Sequence, residues 1–366
     1  MEVTTIGIDL AKSVFAVSGG DRRGKVVLRR QLRRAQVLEF MSKLGPCVVG
    51  LEACGGAHHW ARALTRLGHQ VRLMSPALVV PYRKGHKHDR NDADAVLEAV
   101  SRPSMRFVAV KTIAQQDLLA LHRVRARLLK QRIALSNQIR ALLHERGVTA
   151  RLGAAGLRAA VTAALAADHH ELSAELRQVI AELMDELRQL ELRIKAFDQR
   201  LERAAQSDER CRRLREVPGV GPKIATALVA TVGDAREFRS GRELSAYLGL
   251  SPRQHSSGGK TVMLGISKRG DRYLRTLLIH GARSLLYRNR RATHPRARWA
   301  ARLSAARGPN VAAVALANHH ARVLWALLNR GDHYRPDRQP GSFPAPPSAT
   351  GERARAGKLL LHKARS

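Results

Sequence analysis

Near the N-terminus, apolar residues gather in short runs that close on an acid. Residues 3–9 (VTTIGID) form one such run and 46–52 (PCVVGLE) another. Between them, 13–19 (SVFAVSG) and 25–31 (KVVLRRQ) read as two further strands, joined by a turn rich in glycine and charge. Helices are expected over 33–44, 57–67 and 91–101, and a strand over 69–75 (HQVRLMS). Three strands in succession, then alternating helices and strands, predict a mixed α/β sheet for a domain spanning 1–105.

From about 114 to 146 the period becomes helical, with Leu121, Leu128, Leu135 and Leu142 at every seventh position. The stretch 172–203 is more regular. Leu176, Leu183, Leu190 and Phe197 occupy one heptad position, and Ile180, Leu187, Ile194 and Leu201 the other. An apolar seam sustained over four heptads predicts a coiled coil, either a hairpin within the chain or a seam between two chains. A helical connector is therefore assigned to 106–210. Residues 211–334 form a second, mostly helical domain that opens near VPGVGPKIATALVATVGD. Beyond Tyr334, the composition of RPDRQPGSFPAPPSATGERARAGK predicts a disordered basic tail over 335–366.

Composition narrows the partner. The 366 residues suffice for two domains with cores, yet aromatics are only 4%, so those cores must be built from Leu, Val, Ile and Ala. Lys and Arg number 65 against 30 acids, a formal charge of +35. Such an excess repels itself in a compact fold unless a polyanion is near, and nucleic acid fits, since each phosphate contact releases condensed counterions. A high-GC genome enriches Arg and Ala everywhere, but it gives no reason for acids to lag so far behind. Cys47, Cys54 and Cys211 form neither a disulfide framework nor a zinc site. The N-terminus has no signal-peptide architecture, and no apolar run approaches the roughly 20 residues of a bilayer span. A cytoplasmic, reduced protein away from membranes is expected.

Four acids then stand out. Asp9 ends the first strand in GIDLAK, and Glu52 ends the fourth in GLEACGG. Asp89 and Asp92, in KHDRNDADA, lie three apart on one face at the start of a helix. Each has a plainer role when taken alone: a turn or cap residue for Asp9 and Asp89, a surface acid for Glu52, a complement to the helix dipole for Asp92. Together they can converge on one point, where their mutual repulsion calls for a divalent cation, Mg2+ or Mn2+, held by hard oxygens. Two such ions can activate a water or hydroxyl and stabilise the leaving 3′ oxygen at a phosphodiester.

The C-terminal half carries a second constellation. VPGVGPKIATAL (217–228) suits a helix-hairpin-helix, in which Gly219 and Gly221 permit a tight turn whose N–H groups, with Lys223 beyond, can hold a phosphate. It suits an ordinary interhelical loop equally. Further on, SSGGK makes an exposed Gly-rich turn flanked by Arg253, His255 and Lys260, and SKRGDRYLR supplies Lys268, Arg269, Arg272 and Arg275. The plain reading here is a turn followed by a basic DNA-binding helix.

GIDLAK, LEACGG and KHDRNDADA, in this order and spacing, resemble the DEDD transposases of bacterial insertion sequences. The group is the insertion sequence 110 family, with its eleven-eleven subgroup and the related pilin-gene invertase. The stretch from SSGGK to SKRG resembles the same family's C-terminal transposase domain. The likeness covers about 5–105 and 211–290. It implies an RNase H-like domain similar to the junction resolvase RuvC, with Asp9, Glu52, Asp89 and Asp92 as the metal-binding tetrad. It also implies a serine nucleophile, placed on Ser257 by motif position with Ser256 as the rival in the doubled SS. At Asp94 the chain departs from the family, where a small or basic residue is expected, and no role is assigned. Partners implied are element and target DNA, a structured noncoding guide RNA, and further copies of the chain in a dimer or tetramer. Two alternatives stay open. A junction-resolving endonuclease would use the four carboxylates alone, and a nucleic-acid binder without activity would keep only the helix-hairpin-helix and the basic surface.

Overall fold

The computed structural model describes residues 2–86, 88–166, 171–257, 260–288 and 294–336, with Ser256, Lys260, Thr261 and Arg288 described by their backbone alone. The stretch read as a basic tail lies outside the described residues from 337 onward, as do Gly258 and Gly259 of the Gly-rich turn. Residues 1–201 pack together with 226–237 as one unit, and 202–225 pack with the chain from 238 onward as another.

In the first unit, β1 (Thr5–Asp9), β2 (Val14–Gly20), β3 (Val26–Arg33), α1 (Val37–Ser42), β4 (Val48–Glu52), α2 (Ala57–Arg66), β5 (Gln70–Met74), α3 (Pro76–Val79), α4 (Asp89–Val100) and β6 (Phe107–Val108) follow in order. The sheet runs β3-β2-β1-β4-β5-β6. β1, β2 and β3 are antiparallel neighbours, while β4 lies parallel to β1 and β5 parallel to β4. β6, a strand of two residues that the sequence pattern does not reveal, closes antiparallel on β5.

The alternation along the strands sets the layers. Ile6, Ile8, Val49 and Leu51 turn to one face and join Phe15, Trp60 and Leu64 beneath α1 and α2. Ile6, Ile8, Leu51 and Leu64 are fully buried, worth about 1.5–3 kcal/mol each. Gly7 and Gly50 turn to the other face, where α4 lies. A Cβ on Gly7 would sit 2.4 Å from the Leu97 backbone nitrogen and 2.5 Å from the Ala93 carbonyl oxygen. One on Gly50 would sit 2.8 Å from Val100 Cβ. The helix thus rests directly on the strand backbone through Ala93, Leu97 and Val100, an approach that the two glycines permit.

The connector is α5 (Ile113–His144), α6 (Gly153–Ala166) and α7 (Ala174–Ser207). A capping box starts α5: Gln115 N donates to Thr112 Oγ1 at 3.2 Å, and Thr112 N to Gln115 Oε1 at 2.8 Å. The open question about the α7 seam is answered within the chain. Ile180, Leu187, Leu190 and Ile194 share a core with Leu128, Leu135, Ile139 and Leu143 of α5 and with Leu157 and Val161 of α6. The expected α5 edge drifts, since 3.6 residues per turn do not keep a strict seven. Leu128 and Leu135 are buried as expected, whereas Ile139 and Leu143 replace Leu142, which is half-buried.

The second unit holds α8 (Glu209–Arg215), α10 (Gly241–Tyr247), α11 (Arg272–Arg288), α12 (Pro295–Arg307) and α13 (Pro309–Arg330), while α9 (Pro222–Val232) spans the boundary. It also contains β7 (Pro252–Ser257) and β8 (Lys260–Ile266), an antiparallel pair on either side of the expected Gly-rich turn that the sequence pattern did not reveal, while the basic helix expected after it is the start of α11. Among the described helices, α13 is long and apolar enough to cross a bilayer, contrary to the expectation that no run approached that length. Most of its apolar stretch (61%) is buried, with Ala313, Leu316, Ala317 and Leu324 fully enclosed.

Candidate functional site

Asp9 follows Gly7 by two positions on β1, and Glu52 follows Gly50 by two on β4. Strand alternation therefore turns both carboxylates to the face that carries α4. Parallel pairing of Ile8 with Leu51 sets the two acids side by side at the strand ends. The Leu97 side chain lies over Gly20, opposite the start of β1. The Leu97 backbone lies over Gly7 together with the Ala93 carbonyl, and the Val100 side chain lies over Gly50, so α4 crosses this face above the middle of β1 and β4. The first turn of α4 begins at Asp89. Asp89 and Asp92 occupy that turn.

Electrostatics report the same neighbourhood. The Cys54 thiol is pushed up, first by burial and then by the negative charges of Glu52 and Asp9. Asp92 accepts from Arg83 Nη1 at 3.3 Å, a partner that the sequence reading did not single out, and Asp89 is exposed. Asp94 is turned to a different task. Burial acts to raise its carboxyl, but Arg29 and Ser18 outweigh it and hold the group below the usual carboxylate range. Ser18 Oγ donates to it at 2.5 Å and Arg29 Nη2 at 3.0 Å, so Asp94 ties α4 to β2 and β3. Magnesium keeps several waters and asks one or two carboxylates of a protein, a demand that adjacent Asp9 and Glu52 meet. Among the described residues no three His, Cys, Asp or Glu side chains are grouped closely enough to hold an ion. Asp89 and Asp92 are thus not brought together with Asp9 and Glu52 into one ligand set.

In the second unit, Val220 N donates to Val217 O at 2.9 Å, with Pro218 and Gly219 (φ 87°) between them. This is a type II turn, and its third position needs glycine. Gly219 is also committed to packing, because a Cβ there would meet the Gly281 carbonyl oxygen of α11 at 2.8 Å. Gly221 has open space around it, and Lys223 is half-buried.

Ser257 ends β7 opposite Lys260, and His255 pairs with Val262. Arg253, His255 and Ser257 are exposed, as are Val262, Met263 and Leu264. The signal for this hairpin was Gly-Gly between two short runs with strand-forming residues. Lys268, Arg269 and Arg272 are exposed beyond it, Lys268 in the left-handed region at φ 56°. Arg275, expected on the same basic surface, is instead buried; its Nη1 donates to Leu248 O at 2.9 Å and Arg269 O at 3.1 Å, bracketing two loops.

Two family models match the chain. One, described as a transposase of DEDD type from the IS110 group, matches residues 6–146, and one described as transposase IS116/IS110/IS902 family matches 211–298. A probable family 20 transposase of Pseudomonas aeruginosa is 51% identical over 92% of this chain and 100% of its own length. The transposase for insertion sequence element IS1111A of Coxiella burnetii is 45% identical over 91% of this chain and 92% of its own. The transposase for insertion sequence element IS1328 of Yersinia enterocolitica is 39% identical over 90% and 98%.

Proposed function

Since the chain belongs to the IS116/IS110/IS902 family of insertion-sequence transposases, we propose that it cuts and transfers DNA with two sets of residues, the four carboxylates of β1, β4 and α4 and Ser257 on the β7–β8 hairpin. The observation that supports this reading is the pairing that sets Asp9 and Glu52 side by side on the face that carries α4, the helix whose first turn holds Asp89 and Asp92. The sheet order, with three antiparallel strands followed by two parallel ones, supports an RNase H-like domain.

Asp9 and Glu52 would hold a divalent cation, and Asp89 and Asp92 would supply further oxygen ligands once α4 and the sheet close on the substrate. When bound, magnesium or manganese offsets the repulsion among these acids and stabilises negative charge developing at a phosphodiester. Arg83 donates to Asp92 and orients that carboxylate. Ser257 Oγ forms a bond to phosphorus while the bond from phosphorus to the 3′ oxygen breaks. The hydroxyl proton passes to solvent, and the departing oxygen takes one up. Arg253 and Lys260, on the same hairpin, offset phosphate charge. Lys268, Arg269 and Arg272, with Gly221 and Lys223 at the type II turn, contribute backbone contacts that carry no base specificity.

The family resemblance and the +35 charge support a structured guide RNA that delegates base choice to pairing. Copies of the chain assemble through surfaces other than the α7 seam, whose apolar residues are covered by α5 and α6. The test is cleavage of a donor-junction plasmid in magnesium beside a gel shift. Asp9→Ala or Asp92→Ala should abolish cutting and leave binding within about twofold, because affinity comes mainly from phosphate contacts elsewhere. Undiminished cutting by either variant removes the carboxylates from the chemistry.

A further inference from the structure

The connector hairpin is electrically lopsided. From Leu118 to the end of α5 at His144 there is no acid, but there are six Lys and Arg residues, whereas α7 carries seven acids against six Lys and Arg. The cations of α5 divide by face. Arg125 is buried and paired with Asp198 of α7, which accounts for it structurally. Arg123, Arg127 and Lys130 are exposed at spacings of four and three, and so fall on one stripe of the helix. Gln131, Asn137 and Gln138 extend that stripe as exposed amides. At 1.5 Å per residue it runs about 22 Å from Arg123 to Gln138.

Among the described residues no carboxylate pairs with these three cations; Arg127 Nη1 donates to the Gln131 side chain at 3.2 Å. Like charges at such spacings destabilise a helix. The interior of the connector does not need them, since its core is formed by Leu128, Leu135, Ile139 and Leu143 on the opposite side. We infer that this stripe on α5 is a docking surface for the phosphate backbone of duplex DNA. The partner is argued from charge complementarity and from length. A stripe of donors without an acid, long enough to follow several phosphates of one strand, suits a polyanion. Its central positions, Ala134 and Ala141, are too small to anchor a protein partner, and Ile133 at its edge is a lone exposed aliphatic where such partners use clustered aromatic or long apolar side chains. Duplex DNA is the polyanion on which this family acts.

The full-length triple variant Arg123→Gln/Arg127→Gln/Lys130→Gln removes the charge and keeps good helix formers. Binding to a duplex of unrelated sequence is measured from 50 to 200 mM salt without divalent metal, so that neither carboxylate nor serine chemistry enters the result. Each lost phosphate contact should lower the log–log salt slope by about 0.9, or roughly 2.7 for three, so the variant should lose about fortyfold less affinity across that range than the parent. Arg123→Lys/Arg127→Lys/Lys130→Arg, which keeps every charge, should keep the slope. Removing three exposed cations from α7, with Arg188→Gln/Arg193→Gln/Lys195→Gln, should leave it unchanged. An unchanged slope in the α5 variant, an equal fall in the α7 variant, or a change seen on duplex RNA and not on DNA overturns the inference.

Discussion

At the carboxylate end of the sheet, a Cβ on Gly7 would meet the backbone of α4 at 2.4 Å, whereas Gly265 on β8 has nothing within 4 Å. The same contrast holds for the side chains around them. Ile6 and Ile8 flank Gly7 at zero exposure, while Val262, Met263 and Leu264 beside Gly265 are 49, 59 and 45% exposed. Asp9 and Glu52 are thus carried by backbone pressed between two helical layers, and Ser257 by a two-stranded ribbon with little beneath it. Cation ligands demand placement to within a fraction of an ångström, which only packed elements supply. A nucleophile that must meet a long, variable polymer gains from a sparsely packed carrier, because local opening costs less there.

Matched glycine substitutions sharpen this contrast most. Gly7→Ala forces α4 off β1 and should cost about 3 kcal/mol in urea unfolding, the upper part of the overpacking range, with a parallel loss of cleavage. Gly265→Ala should stay within about 0.5 kcal/mol. Equal losses at the two sites would erase the distinction between a packed site and a free one.

Acid should act on both regions, to different depths. Burial first, then nearby cations, lowers His58 and His122 of the first unit to about 4, and burial first lowers His319 and His320 of the second to about 3. Each binds its proton less readily in the folded chain than at the ordinary 6.5, so the unfolded chain takes up more protons between those values. Stability should therefore be intact above about pH 7 and fall as pH drops below 6.5. The loss contributed by His58 and His122 levels off near pH 4, while that from His319 and His320 continues toward 3. Thermal melting from pH 7.5 to 3.5 checks the sign, and His320→Gln should show a shallower fall than the parent protein.

Smaller still is the effect at Lys268, whose φ of 56° is strained for a residue with a Cβ. Lys268→Gly should gain about 1 kcal/mol or less in unfolding free energy and lower the salt slope of DNA binding by about 0.9 if the side chain touches a phosphate. A loss of stability would show that its stem packs after all.

The contrast between the two regions also explains what the sequence disclosed. TIGID and VVGLE could be read as strands closing on acids because burial imposes alternation: Ile6 and Ile8 on one face, Gly7 and Asp9 on the other. The glycines themselves hold the information that α4 lies on that face, but only the packing reveals it. The β7–β8 hairpin escaped because Gln254, His255, Ser257, Val262, Met263 and Leu264 are all exposed, so burial imposes no hydrophobic period on these positions. Arg275 reads as a surface cation in SKRGDRYLR, since composition cannot show that two loop carbonyls wait for its guanidinium. The α7 seam was visible as a heptad, yet its partner was not, because any amphipathic helix of the right length satisfies it.

The division of labour between a packed carboxylate site and a free serine is tested most directly by trapping the covalent state. End-labelled donor DNA is incubated with the protein and magnesium, quenched with detergent, and resolved before and after protease. Wild type should carry label with the protein, Ser257→Ala should lose that adduct while still binding DNA, and Asp9→Ala should lose cutting. Loss of the adduct in Ser256→Ala instead would move the nucleophile by one residue. Efficient cutting by wild type with no protein-linked DNA at any time would contradict the serine's role and leave the four carboxylates to act alone.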